Sequence, residues 1–230
     1  MAIYTKEITP STFTLAGCGG GGGGGGDNTP VVSTENFALQ QAWVGYLYES
    51  NSYSYAVSGS YQGLPVTGSG TLTNGNVTTG TFEGVGALQR SQTVTGSISV
   101  SGQAVPLAGT STTFFDSNYN LLGFSYVGGD YSVVTSYKSI PVIGKVGDTD
   151  TWYNLTDYTD SSKTSIISTS TMSYVIEPDT SLTAILKIIE TVSDGTVNTV
   201  SFRMTTNGQL TRLTETTVDS SIPFTLTIIY

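Results

Sequence analysis

No histidine occurs among the 230 residues. Its absence removes the side chain that most often serves as general base, triad member and neutral metal ligand. Cysteine occurs once, as Cys18, so the chain cannot build an internal disulfide framework. Charge is scarce as well: charged residues make up 11% of the chain, with 8 Lys and Arg against 17 Asp and Glu. A net charge of −9 without a basic cluster argues against nucleic acid as a partner. No apolar run approaches the roughly 18 residues of a membrane-spanning helix. Serines and lysines are present, but no Gly-x-Ser-x-Gly or Ser-x-x-Lys places one in a catalytic setting.

With so little charge, the solvated faces must be built from Ser, Thr, Asn and Gly. Hydrophobic residues make up 37%, and 14 Tyr, 8 Phe and 2 Trp are ample for a core. This is not the composition of a disordered acidic chain. The length fits one large or two small domains.

From Phe37 onward the dominant pattern has period two. Tyr53, Tyr55 and Val57 alternate with small residues, as do Val94, Ile98 and Val100; Val200, Phe202 and Met204; and Phe224, Leu226 and Ile228. Such alternation marks half-buried strands. Asn74-Gly75, Ser101-Gly102, Asp194-Gly195 and Asn207-Gly208 supply turn signals. Only Phe37 to Leu47 and Leu182 to Glu190 could pass as helices. The second is apolar on both phases and reads as a central strand. About a dozen short strands with tight turns predict an all-β fold, an antiparallel sheet curved into a half-barrel or barrel, with a β-sandwich as the alternative.

Internal similarity is also present. Val57 to Val66 is similar to Val94 to Leu107, and Phe114 to Leu122 to Phe202 to Leu210. Trp43 and Trp152 each open a stretch of strands. The domain reading is therefore a single β domain over 37–230, with 37–143 and 144–230 as candidate similar halves.

The acidic segment Gly147 to Asp160 offers carboxylates at short spacing, but Trp152 and Leu155 occupy the middle of what would be a calcium loop. It reads as a turn leading into a strand, with its acids solvated. Trp152, Tyr153 and Tyr158 could stack on sugar rings, although alternate residues of a strand usually include a core face. Ser162-Lys163 reads as a solvated turn. No catalytic residue, metal ligand or cofactor is expected.

Leu15-Ala16-Gly17-Cys18, followed by eight glycines from Gly19 to Gly26, resembles the lipobox of bacterial lipoproteins. The resemblance implies cleavage before Cys18 and acylation of its thiol and amino group. It makes 1–17 the remnant of a signal peptide and 18–36 a lipidated, glycine-rich tether. Small residues at Ala16 and Gly17 suit a signal peptidase. Two or more acyl chains would hold the protein in a bilayer. Glu7 and Pro10 depart from an apolar signal core, so a misassigned start or altered 5′ end is expected. Eighteen flexible residues would reach roughly 21–25 Å, and the folded unit is expected to begin between Phe37 and Trp43.

Val146 to Tyr153 and Ser173 to Thr180 are similar to uncharacterised Ser/Thr-rich lipoproteins of Gram-negative bacteria, a resemblance over most of 110–230 that brings no activity with it. The architecture also resembles the open half-barrel carriers that shuttle lipoproteins. These resemblances imply a non-enzymatic, lipid-anchored envelope domain in the outer membrane, periplasmic or surface-facing. Its partners would be the membrane, through acyl chains on Cys18, and an apolar ligand or protein. A carrier of an apolar ligand or lipid, and a surface adhesive or assembly subunit, stand as alternatives. The last strand, from Phe224 to Tyr230, is expected to pair internally.

Overall fold

The computed structural model describes residues 32–219 and 221–230. Within them the chain forms α1 (Leu39–Tyr48), β1 (Ser52–Tyr61), β2 (Leu64–Asn74), β3 (Thr78–Phe82), β4 (Val85–Val100), β5 (Gln103–Phe115), β6 (Leu121–Tyr126) and β7 (Tyr131–Tyr137). It continues with β8 (Thr149–Tyr158), β9 (Ile166–Pro178), β10 (Thr183–Val192), β11 (Thr196–Thr205), β12 (Leu210–Asp219) and β13 (Phe224–Ile229). From β4 to β13 each strand pairs antiparallel with the next. β13 then pairs with β1, β1 with β2, and β2 with β4. That last pairing, from Val66 opposite Val100 to Asn74 opposite Gln92, closes a ring of twelve strands. The expected curved antiparallel sheet is thus a closed barrel, not a sandwich. The C-terminal strand pairs internally, as expected, between β1 and β12.

Closure leaves no long free edge, which is how a Thr- and Val-rich sheet avoids pairing with other chains. Tight turns set the register. Gln62-Gly63, Glu83-Gly84 and Ser101-Gly102 have positive φ at both central residues, the twist that suits two-residue hairpins. Gly195 and Gly208 take positive φ in the β10–β11 and β11–β12 turns. Asn74-Gly75 is a correction. It is no hairpin: β2 and β3 run in the same direction and share one edge of β4, so the pair marks a break in a long strand.

Period two puts the apolar set inside the ring. Met172, Tyr174 and Ile176 of β9 and Ala184, Leu186 and Ile188 of β10 are buried, while Thr171, Ser173 and Lys187 between them face outward. The outer face is tied by ion pairs, Lys187 to Glu177 and Arg203 to Asp179, both at 2.7 Å. Apolar-in and polar-out is the reverse of the pattern by which a barrel spans a bilayer. Among the described residues no helix is long and apolar enough to cross a membrane.

The lumen holds α1. Leu39, Ala42, Trp43, Tyr46 and Leu47 are buried against Phe115, Phe124, Trp152, Leu186, Val200 and Phe202 from five strands around the ring. A ten-residue helix is marginal alone, so its stability comes from this burial, on the order of 10 kcal/mol gross for four large side chains and one alanine. A bulge in β8 adds to the filling. The register shifts between Thr151 and Tyr153, and consecutive Trp152 and Tyr153 are both fully buried. Trp43 and Trp152 meet edge-to-face at 5.6 Å between ring centroids, so Trp43 belongs to the plug helix and opens no strand.

Outside the barrel a smaller cluster forms where the β3–β4 hairpin lies against β5–β7. Phe82 stacks on Tyr131 at 5.3 Å and packs on Phe114 at 4.7 Å. Gly123 makes the room: a Cβ there would come within 2.5 Å of the Phe82 ring. Glu83 at the hairpin tip accepts hydrogen bonds from the Tyr131 hydroxyl and the Lys163 ammonium. Lys163 lies in an exposed turn, as expected, and from there acts as a latch on Glu83.

The folded unit begins earlier than Phe37. Ser33 is buried and its Oγ donates to the Ser181 carbonyl at 2.8 Å. Phe37 is fully buried and bridges Gly144, and the Ala38 amide donates to Thr206. Ser33, assigned to the tether, thus belongs to the entry into the barrel, while Thr34, Glu35 and Asn36 are exposed. The lipobox and the glycine run lie outside the described residues. Each of the similar pairs of segments forms a hairpin: β1–β2 and β4–β5, then β5–β6 and β11–β12.

Candidate functional site

The acids of the 147–160 segment do not converge. Asp148 accepts from the Lys145 amide, Asp150 from Lys138 Nζ at 2.6 Å, Asp157 from the Ser132 and Ser168 hydroxyls, and Asp160 from the Ser162 amide. Lys138 holds the Asp150 carboxyl below its ordinary range. Among the described residues no group of three or more His, Cys, Asp or Glu side chains is placed to hold a metal ion. The sugar-stacking idea fails for Trp152 and Tyr153, which the β8 bulge turns into the core, while Tyr158 is half-buried at the far end of that strand. Cys18, Leu15, Ala16 and Gly17 lie outside the described residues.

Two arrangements were not visible in the sequence. The first is a polar layer inside the barrel. Arg90 of β4 and Arg212 of β12 are both buried. Arg90 donates through Nη1 to the Tyr46 carbonyl at 2.5 Å, capping the C-terminal end of α1, where the helix dipole favours a cation. Its guanidinium also lies 4.7 Å from the Tyr46 ring centroid. Arg212 pairs with Glu215 at 2.8 Å and lies over the Tyr230 ring at 4.9 Å. The Tyr230 hydroxyl donates to the same carboxylate. Burial opposes the Arg212 charge, but Glu215 and the surrounding tyrosine oxygens outweigh it and hold the guanidinium firmly protonated. Burial, then Glu215, pushes the Tyr230 phenol far up. This layer clamps the plug to the wall. Its groups face one another across packed side chains, so its role is structural.

The second arrangement is a cleft of about 210 Å³ at the rim where the chain enters. It is lined by Gln40 and Trp43 of α1, by Asn118, Tyr119 and Asn120 between β5 and β6, and by Tyr137, Ser139 and Ile140 after β7. The β5–β6 loop is set by one side chain. Asp116 Oδ1 accepts from the Asn118 and Asn120 amides at 2.7 and 2.9 Å, and Oδ2 accepts from Asn120 Nδ2 at 2.9 Å. This holds Tyr119 at φ 66°, a strained position for a bulky residue. Trp43 Nε1 donates to the Tyr119 carbonyl at 2.9 Å, which ties the loop to the plug. A hydrogen bond with Tyr119 raises the Tyr48 phenol above its ordinary value. The cleft therefore offers aromatic faces and side-chain amides on a preformed frame. That chemistry suits a small neutral polar ring. It holds no nucleophile with an adjacent base, which acyl or glycosyl transfer would need.

A second hollow, lined by Thr135, Asn154, Thr156, Thr169, Thr171, Thr191 and Ser193, spans the outer wall near β8–β10 and is more open. Its lining hydroxyls and amides bond one another, as Thr171 Oγ1 does Asn154 Oδ1 at 3.0 Å. Neither hollow is a large apolar cavity in the lumen. Comparison of the chain with protein-family models, with curated proteins and with solved structures found no match in any of the three.

Proposed function

We propose that the protein is a lipid-anchored envelope barrel that binds or scaffolds rather than catalyses, held in the outer membrane through acyl chains on Cys18. The observation that carries this reading is the way the chain enters. Segment Val32 to Ala38 is stitched to three loops of one rim, through Ser181, Gly144 and Thr206. An anchor at Cys18 would therefore pull on a rigid, plugged body at one defined end. The absence of histidine and the commitment of the buried charges to holding α1 support a non-enzymatic role. Metabolic labelling with an alkyne fatty acid, in cells expressing the gene from its own locus, should mark the protein, and Cys18→Ala should abolish the mark. Equal labelling of both forms would sink the anchor.

The rim cleft favours binding over a purely structural role. Its ligand class, on this reading, is a sugar-like or polyol ring, stacked on Tyr137 or Tyr119 and hydrogen-bonded by Gln40, Asn118 and Asn120. Titration with neutral saccharides should shift the side-chain amide resonances of those three residues, and Tyr137→Ala should weaken the effect at least about tenfold, the loss of roughly 1.4 kcal/mol. Shifts that are absent, or unchanged in the variant, would remove the cleft from the account. The carrier alternative is disfavoured because the space a lipid would need is occupied by α1 and its contacts.

A further inference from the structure

The rim that receives the tether is also where aliphatic side chains stand in solvent without a local partner. Val32, Val142, Ile143 and Leu182 are 54–65% exposed. They belong to three separate segments, yet the entry segment draws them together. Ser33 bonds Ser181, next to Leu182. Phe37 bridges Gly144, next to Ile143, and the Gln40 amide donates to the Val142 carbonyl at 3.4 Å. Four aliphatics thus stand exposed at the end that carries the tether, and exposed aliphatics drawn to one rim call for an apolar neighbour.

We propose that this rim seats on the lipid bilayer, with Val142, Ile143 and Leu182 entering the interfacial layer. The inference rests on the lipid-anchor reading for its choice of occupant. Cys18 lies fourteen residues before Val32, a span of at most about 50 Å even when fully drawn out. An acylated Cys18 therefore holds the rim where the tether joins the body near lipid at high effective concentration. Charge plays little part. Glu35, Asp116, Asp148, Asp150 and Asp179 stand against Lys138, Lys145 and Arg203 at this end, so anionic headgroups gain nothing over zwitterionic ones. The cleft of Trp43, Tyr119 and Tyr137 opens on the same rim and faces the headgroup layer.

The opposite end provides the control. Val127, Ile166 and Ile167 there are comparably exposed, and β9 separates Ile166 from the β9–β10 turn by its thirteen residues, about 40 Å along the strand. Cys18 is the sole thiol, so unacylated full-length protein can be coupled to a maleimide lipid in phosphatidylcholine nanodiscs, whether or not cells acylate it. Methyl spectra are then recorded with a lipid carrying a nitroxide high in its acyl chain. The seat predicts loss of the Ile143 and Leu182 methyl signals while Ile166 and Ile167 persist. It also predicts that Val142→Ser with Leu182→Ser abolishes the difference between Ile143 and Ile166. Equal attenuation at both ends, or stronger attenuation at Ile166, overturns the seat. The anchor itself is judged separately, by fatty-acid labelling in cells.

Discussion

Arg212 shows how much one residue can decide here. It pairs with the buried Glu215 carboxylate at 2.8 Å, and its guanidinium also covers Tyr230 and approaches Tyr46 and Phe202. Arg212→Met should cost about 3–5 kcal/mol in denaturant unfolding, because it breaks a buried ion pair by removing one partner. Adding Glu215→Leu should recover much of that loss, since an apolar pair can replace a buried ion pair at little cost. A double variant no more stable than the single one would contradict the clamp. The buried tyrosines make a second residue-scale prediction. Burial pushes the phenols of Tyr53 and Tyr153 up to about 12. A raised folded value means that their stabilising contribution is complete below the unfolded value near 10 and is lost as pH rises toward 12. Alkaline unfolding should therefore set in above about pH 10, and tyrosinate absorbance should show a late step coincident with loss of near-ultraviolet circular dichroism. A smooth titration of all fourteen tyrosines near pH 10 in the folded protein would contradict it.

At the scale of elements, the latch and the entry segment each allow a test. Lys163, then Tyr131, holds the Glu83 carboxyl below its ordinary value. A depressed folded value means that the latch is intact above the unfolded value near 4.5 and is lost as pH falls through the folded one. Amide exchange in Thr78 to Phe82 should accelerate selectively in that acid range, and Glu83→Gln should show faster exchange already at neutral pH. At the entry, a chain beginning at Val32 should melt like the full chain. Phe37→Ala should lose about 3–5 kcal/mol, the usual cost of emptying a fully buried aromatic site. A neutral Phe37→Ala would contradict the anchoring role of the entry segment.

The same elements show what could be read in advance and what could not. Strand periodicity reached β1, β4, β11 and β13 because a half-buried strand writes its two faces into alternate residues. Leu182 to Glu190 was legible as a strand even though both phases are apolar, and β10 does place aliphatics on both faces. The plug was harder. Phe37 to Leu47 carries a helical option, but nothing local says that a helix will lie inside a barrel rather than on it. Asn74-Gly75 looked like a hairpin because the dipeptide fixes a local conformation, not the direction in which the chain leaves. The rim cleft joins Gln40, Asn118 and Tyr137, residues nearly one hundred positions apart, and only closure of the ring brings them together. Arg90, between Gln89 and Ser91, and Arg212, between Thr211 and Leu213, carry no local mark of burial, since their inward face depends on register alone.

For the whole molecule, the filled lumen governs the functional account. Closure of β2 onto β4 makes a cylinder that could have held a ligand, and α1 with Trp43, Tyr46 and Leu47 fills it instead. On the proposed function, binding is displaced to the rim, and an anchor at Cys18 would decide which way that rim points. Native mass spectrometry of the protein extracted from membranes in mild detergent tests both parts at once. The account predicts a mass equal to the polypeptide from Cys18 to Tyr230 plus covalent acyl groups, with no further lipid retained. An unmodified chain, or a noncovalent lipid held at one-to-one stoichiometry through detergent exchange, would contradict it.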